Sequence, residues 1–145
     1  MKKILLVNGP NLNTLGKREP EIYGSTTLLQ IEEMVKQRIE AAGHHMEAYQ
    51  SNHEGQLVDW LQSHADAAFV IINAAAYTHT SIALRDCLAM LGAPFIEVHI
   101  SNVYQREDFR KHSYLADKAV GVISGLGARG YDLAAQFALA HITAP

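Results

Sequence analysis

Four short apolar runs rich in branched side chains, with helical patterns between them, constrain the fold of this chain more than any other feature. They cover residues 4–7, 69–72, 95–100 and 119–123, and a fifth, weaker run covers residues 46–50. Short runs without polar alternation are typical of strands that are buried on both faces. The sequence therefore predicts a central parallel sheet of five strands.

Helical patterns separate these runs. In the clearest one, at residues 28–42, Thr27 and Gln30 have the spacing of a capping box and Gly43 follows as a stop signal. Further patterns predict helices at residues 57–64, 82–91 and 131–141. Alternating strands and helices imply crossovers that cover both faces of the sheet. We predict one α/β domain over residues 1–145, a flavodoxin-like, doubly wound, five-stranded parallel sheet with helices on both faces.

The composition limits the partners that we expect. Twelve basic and 15 acidic side chains give a net charge of -3, which provides no broad positive field for nucleic acid. Cys87 is the single cysteine and has no partner for an internal disulfide. The first apolar run ends at Asn8, too early for a signal peptide, and no run is long enough to span a bilayer. We expect a cytoplasmic protein that binds neither nucleic acid nor membrane.

Polar side chains follow each predicted strand, and the carboxyl ends of parallel strands are where such sheets bind ligands. Turn chemistry accounts for part of this pattern, but it explains less well a histidine inside a strand. In the fourth strand, alternation places Glu97 and His99 on the same face. A carboxylate can orient an imidazole for acid or base catalysis. A structural, partly buried histidine remains the equally weighted alternative.

The connection at residues 8–24 is longer than a strand-to-helix link needs to be, which is typical of functional loops. Its asparagines Asn8 and Asn13 are explained by turn formation alone. Arg18 and Tyr23 are different, because a free tyrosine has a pKa of about 10 and becomes a useful base only beside a positive charge. The pair is a weak signal by itself.

Other polar residues carry weaker signals. Asn73 and His79 follow the third strand and are candidates to hold a small ligand, whereas Asp86 fits a solvated helix position. Arg106 and Arg110 would share a helix face if their segment is helical.

Several other sequence features do not predict a functional site. The glycine-rich stretch at residues 125–130 fits a tight turn, because the chain has no room after it for a dinucleotide-binding unit. Ser124 lacks a nucleophile-elbow frame and Cys87 lies inside a helix pattern. The histidines lack the spacing of a metal site, so we expect no metal and no cofactor.

Taken together, the motifs are recognisable over essentially the whole length. The chain closely resembles type II 3-dehydroquinate dehydratase through N-G-P-N-L-N-x-L-G-x-R-E-P-x-x-Y-G, Q-S-N-x-E-G-x-L-V-D, T-H-T-S-x-A-L-R-D, E-V-H-I-S-N and G-L-G-x-x-G-Y. One departure is the run of three alanines at residues 74–76, where relatives often carry glycine, or proline and glycine.

The resemblance implies a lyase of the shikimate pathway that removes water from 3-dehydroquinate by trans-elimination, giving 3-dehydroshikimate without metal or imine. It implies that Tyr23 is the base, Arg18 its activator, His99 the proton donor, Glu97 the partner of His99, and Asn11 the holder of a water against the enolate oxygen. It further implies a lid around residues 18–24 and a homododecamer of trimers in which Asp86 approaches a neighbouring site. The implied substrate-binding residues are Asn73, His79, Asp86, Ile100, Ser101 and Arg110.

Two alternatives remain open at this stage. A flavodoxin-like binding module or phospho-relay receiver has the same fold, since fold does not determine function. Against these, the third strand ends in Asn73 where a receiver needs an aspartate, and the first loop lacks a hydroxyl-rich phosphate cradle. The other alternative is an enzyme that acts on a different polyhydroxylated keto acid.

Overall fold

The computed structural model describes residues 1–17, 19, 21 and 24–144, and five parallel strands form its centre. The strands are β1 (Lys3–Asn8), β2 (His45–Gln50), β3 (Phe69–Asn73), β4 (Phe95–His99) and β5 (Gly121–Ser124). They are hydrogen-bonded in the order β2-β1-β3-β4-β5. This is the flavodoxin-like strand order, so the predicted fold class is confirmed.

The strands are followed by the α-helices α1 (Leu28–Ala41), α2 (Glu54–Gln62), α3 (Ile82–Leu91) and α4 (Arg129–Thr143). Short 3-10 helices lie in the connections, among them η1 (Leu12–Thr14), η2 (Ala75–His79), η3 (Val103–Gln105) and η4 (Asp108–Arg110). None of the described helices is long and apolar enough to cross a membrane.

The helices cover both faces of the sheet because successive side chains of each strand point to opposite sides. Ile4 and Leu6 of β1 join a core cluster that includes Val35 of α1 and Ala135 of α4. Leu5 lies between them and belongs to the opposite cluster. That second cluster contains side chains of α2 and α3, among them Leu57, Leu61, Leu84 and Leu88.

The predicted element boundaries differ from the observed ones by a few residues. Helix α2 begins at Glu54, three residues before the predicted start, and α4 begins at Arg129, two residues early. The first turn of a surface helix contributes few apolar side chains, so the apolar pattern starts inside the element. At α1 the predicted capping box is present, with Thr27 accepting from Gln30 N and the Gln30 side chain accepting from Thr27 N.

The hypothesis that Arg106 and Arg110 share an α-helical face is wrong. Their segment forms η3 and η4, which have three residues each, and Arg106 lies between them. The Asn102 side chain accepts from Tyr104 N at 3.1 Å and so starts η3. The segment is polar and has no apolar period that would keep a longer helix on the core.

The stretch before α4 is the predicted tight turn. Gly125 and Gly127 have φ values of 91° and 64°, in the left-handed region that favours glycine. Gly127 N donates to Ile100 O at 3.0 Å, so the turn is tied to the end of β4.

Gly9 allows β1 and β3 to end in close contact. Its N–H donates to Asn73 O at 2.8 Å, and a Cβ atom added at Gly9 would lie 2.3 Å from the Ala74 carbonyl oxygen. Because both contacts are with backbone, no side-chain movement makes room for a larger residue.

We expect Gly9→Ala to destabilise the protein by about 1–3 kcal/mol through this overlap. Gly55→Ala is the matched control, because Gly55 lies in α2 with no atom within 4 Å of an added Cβ. That change should raise stability by roughly 0.5–1 kcal/mol through helix propensity. Urea denaturation measures both variants, and equal midpoints would contradict the close contact.

Candidate active site

A cleft opens at the carboxyl edge of the sheet, between the loop after β1 and the segments that follow β3 and β4. Strand register creates it, since Asn8 pairs with Asn73 and His99 with Ser124 at the ends of neighbouring strands. Among the residues that the sequence singled out, the cleft brings together Asn11, Asn73, His79, His99, Ile100, Ser101 and Arg110.

Glu97 and His99 form a buried pair inside β4. Their exposed fractions are 1% and 6%, and Glu97 Oε2 is hydrogen-bonded to His99 Nε2. The predicted arrangement on one strand face is thus confirmed. With Nε2 engaged by the carboxylate, Nδ1 is the ring nitrogen left for proton transfer.

Two hydroxyl groups also contact the Glu97 carboxylate. Ser113 Oγ donates to Oε1 at 2.9 Å, and Thr78 Oγ1 donates to Oε2 over a longer distance of 3.4 Å. A buried carboxylate is costly unless such donors stabilise its charge. Sequence reasoning gave neither residue a role: Thr78 opens the T-H-T-S motif but was assigned no function, and Ser113 stands neither at a strand end nor in a recognisable catalytic spacing.

His79 lies beside the pair and is held as a neutral ring. Its Nδ1–H donates to His112 O at 2.8 Å, and its ring centroid is 6.4 Å from that of His99. Burial lowers the pKa of His79, and the bond to the His112 carbonyl opposes this shift. The neighbouring His99 and Arg110 side chains lower the pKa further, whereas Glu97 raises it. In this tautomer Nε2 of His79 is an acceptor for a ligand hydroxyl.

A buried hydrogen-bond network behind the cleft orients Asn73. Asn73 Oδ1 accepts from Ala75 N at 3.0 Å, and Asn73 Nδ2 donates to Tyr131 Oη at 2.8 Å. Tyr131 in turn donates to Asn8 Oδ1 at 2.7 Å. Burial raises the pKa of Tyr131, so it remains a neutral phenol. Asn8, interpreted from sequence as a turn residue, is therefore a buried acceptor in this network.

Asn11 and Ala75 have left-handed backbone on two sides of the cleft. The φ of Asn11 is 71°, and its N–H donates to Asn52 Oδ1 at 2.9 Å. Ala75 has a φ of 54°, a conformation that favours glycine. The alanine at this position thus carries backbone strain in the segment next to Asn73.

Two arginines bring positive charge to the cleft. Arg106 and Arg110 both line it, and Arg110 Nε donates to Glu107 Oε2 at 2.8 Å. The guanidinium group of Arg106 reaches to within 3.5 Å of Ser101 Oγ. Guanidinium groups suit a carboxylate ligand. Lys111, the next residue after Arg110, is exposed and pairs with Asp108 at 2.9 Å.

Asp86 does not line this cleft. Asp86 is exposed on α3 and lines a separate depression with Arg85 and Asp117. Arg18 and Tyr23 lie outside the described residues, as does most of the stretch 18–24 interpreted as a lid.

Cys87 and Ser124 have structural surroundings rather than those of a nucleophile. Cys87 is buried in α3, where burial raises the pKa of its thiol, as fits a core residue. Ser124 Oγ donates to Ser101 O at 3.2 Å and so ties β5 to the end of β4. Within residues 1–17, 19, 21 and 24–144, no group of three His, Cys, Asp or Glu side chains is placed to hold a metal ion.

Known proteins resemble this chain over nearly its full length. The family described as dehydroquinase class II matches residues 2–139. A relative from Bordetella avium, named 3-dehydroquinate dehydratase, is 59% identical over 142 residues, which cover 97% of this chain and 99% of that protein. 3-Dehydroquinate dehydratase 2 from Corynebacterium efficiens is 58% identical over 137 residues, which are 92% of this chain and 94% of that protein. The crystal structure of type II dehydroquinase from Propionibacterium acnes matches with a TM-score of 0.90 at 42% identity and 97% coverage of both chains.

Removing the Tyr131 hydroxyl tests the buried network. We expect Tyr131→Phe to lower stability by about 1–3 kcal/mol, because Asn73 Nδ2 and Asn8 Oδ1 lose their buried partner. Urea denaturation should show a lower midpoint with an unchanged slope. Tyr104→Phe is the control, since Tyr104 is 62% exposed and its change should leave the midpoint in place. Equal midpoints for the two variants would show that the network contributes nothing to stability.

Proposed function

Because the chain belongs to the class II dehydroquinase family, we propose that it removes water from 3-dehydroquinate by trans-elimination to give 3-dehydroshikimate in the shikimate pathway. One observation carries the proposal: the buried Glu97–His99 pair opens onto a cleft with amide donors and guanidinium groups, in a chain that matches the family from residue 2 to residue 139. The cleft thus contains a candidate proton donor together with groups that can bind the carboxylate of a substrate.

The reaction has two chemical requirements. Removing a proton next to a ketone forms an enolate, so the site needs a base and a prearranged donor for the new negative charge. The departing hydroxide is a poor leaving group, so an acid has to protonate it. An enzyme that supplies both groups from side chains needs no metal ion, no imine and no cofactor, and our proposal includes none.

His99 is the proposed acid. Glu97 is hydrogen-bonded to its Nε2 and so fixes the ring, which leaves Nδ1 as the nitrogen that delivers a proton to the departing hydroxyl. The pair lies within a strand of the sheet, where the backbone on both sides is hydrogen-bonded. The position and hydrogen bonding of this pair in β4 support the proposed role of His99.

Tyr23 is the proposed base and Arg18 the group that activates it. The support for this step comes from the sequence motif, since both residues lie outside the described part of the loop. A guanidinium group beside a phenol stabilises the phenolate and makes it a base near neutral pH. Asn11, which lines the cleft in the same loop, is proposed to hold a water against the enolate oxygen.

The substrate carboxylate is proposed to lie at the carboxyl end of β4. Backbone N–H groups of Ile100 and Ser101 and the Asn73 amide are candidate neutral donors there, and Arg110 adds charge. His79, neutral and with Nε2 as acceptor, is suited to a substrate hydroxyl. All five residues border the same cleft.

The proposal includes assembly into a homododecamer of trimers in the cytoplasm. Asp86 supports the assembly indirectly, because it is exposed and borders a depression separate from the cleft of its own chain. In the proposed assembly this aspartate would lie beside the cleft of a neighbouring subunit. We propose that Asp86 completes that neighbouring site.

The first test is direct. We expect the purified protein, mixed with 3-dehydroquinate, to produce the ultraviolet absorbance of a conjugated enone. Quinate is the matched control, because it has a hydroxyl in place of the ketone and lacks the acidified proton. Absence of an enone signal from 3-dehydroquinate would overturn the proposed activity, and a signal from another polyhydroxylated keto acid alone would reassign the substrate.

The second test concerns the base. We expect Tyr23→Phe to fold normally and to lose roughly 10²- to 10⁴-fold in kcat, the range for loss of a general base. Tyr49→Phe is the control, because Tyr49 stacks on Trp60 with ring centroids 5.1 Å apart and does not line the cleft. Circular dichroism checks folding. Near-normal turnover by the Tyr23 variant would remove Tyr23 from the mechanism.

A further inference from the structure

The Ser113 hydroxyl is held so that its single proton points at Glu97. Ser113 Oγ accepts the N–H of Leu115 at 3.0 Å and the N–H of Ala116 at 3.2 Å. A hydroxyl has one donor and two acceptor positions. With both acceptor positions occupied, the proton is directed along the 2.9 Å contact to Glu97 Oε1.

This donor acts on the opposite side of the carboxylate from His99. Ser113 donates to Oε1, whereas His99 contacts Oε2. Hydrogen bonds to both oxygens fix the plane of the carboxylate. Because Oε2 is bonded to the His99 ring, fixing that plane also fixes the ring.

The segment that carries Ser113 is itself held at several points. Tyr114 N donates to Thr78 O at 2.8 Å, and the Arg85 side chain donates to Tyr114 O at 2.7 Å. Leu115 is fully buried in the core cluster that contains α2 and α3. Ser113 therefore has the fixed support that a residue needs to orient another side chain.

We propose that Ser113 is a positioning residue for the dehydration: its hydroxyl holds the Glu97 side chain in the orientation that presents His99 to the cleft. Its part in catalysis rests on the proposed function, whereas its effect on the His99 ring does not. The competing explanation is that Ser113 only stabilises the turn at residues 113–116 through its two backbone contacts.

A double-mutant cycle separates these explanations. We expect Ser113→Ala to lower kcat for 3-dehydroquinate about 10- to 100-fold, the effect of losing a hydrogen bond to a charged group, with KM changed by less than about threefold. In a Glu97→Gln background the same change should cost less than about twofold, because the carboxylate that Ser113 orients is already gone. Unchanged kcat in Ser113→Ala, or losses that multiply in the double variant, would overturn the proposal.

Conservative variants control for folding. Ser113→Thr retains the hydroxyl and should keep kcat within about threefold of the unsubstituted protein. If Ser113→Ala does not fold, Ser113→Cys takes its place in the cycle, since a thiol is similar in shape but a weak donor. Loss of activity in Ser113→Thr with a normal thermal midpoint would also contradict the proposal.

Nuclear magnetic resonance tests the effect of Ser113 on the His99 ring without substrate. In protein labelled with ¹⁵N-histidine, the Nε2–H resonance that disappears in His99→Asn belongs to His99. We expect this resonance to shift or broaden in Ser113→Ala and to stay in place in Ser113→Thr. An unchanged resonance in Ser113→Ala overturns the proposal. Absence of turnover by the unsubstituted protein would instead refute the proposed function, and the resonance would still test Ser113.

Discussion

The parallel alignment of five strands is the constraint on which the rest of the structure depends. Parallel strands buried on both faces have to be apolar along their length, so polar side chains are restricted mainly to the strand ends. Their register then sets these ends next to each other, with Asn8 beside Asn73 and His99 beside Ser124. Residues that are far apart in sequence are thereby brought to one edge of the sheet, and the cleft follows from the topology.

Glu97 and His99 are polar side chains buried inside a strand that is otherwise apolar, and the surrounding residues show how they are accommodated. Burying polar side chains is costly unless hydrogen bonds satisfy their donors and acceptors. Ser113 and Thr78 supply such bonds to Glu97, and Ser113 does so from a segment that is anchored to η2 and α3. The strand thereby holds the proposed acid in a defined orientation.

Much of this arrangement could be predicted from the sequence, and the omissions share a physical cause. The capping box at Thr27 and the common face of Glu97 and His99 depend on neighbours two or three positions apart, so local spacing reveals them. The contact of Tyr131 with Asn8 joins residues 123 positions apart. The contact of Ser113 with Glu97 joins residues 16 positions apart, through irregular backbone. No local pattern predicts such contacts, because they arise only when the elements pack.

Ala75 shows how a strained backbone conformation can persist beside the proposed carboxylate site. An alanine in the left-handed region costs about 1–2 kcal/mol, which a glycine would avoid. The Ala75 N–H donates to Asn73 Oδ1, while Gly9 N donates to Asn73 O. Relaxing Ala75 would break the first bond and leave the buried Asn73 oxygen without that donor, at a comparable cost. The hydrogen bond from Ala75 N to Asn73 Oδ1 therefore stabilises the strained conformation of Ala75 and also orients the Asn73 amide.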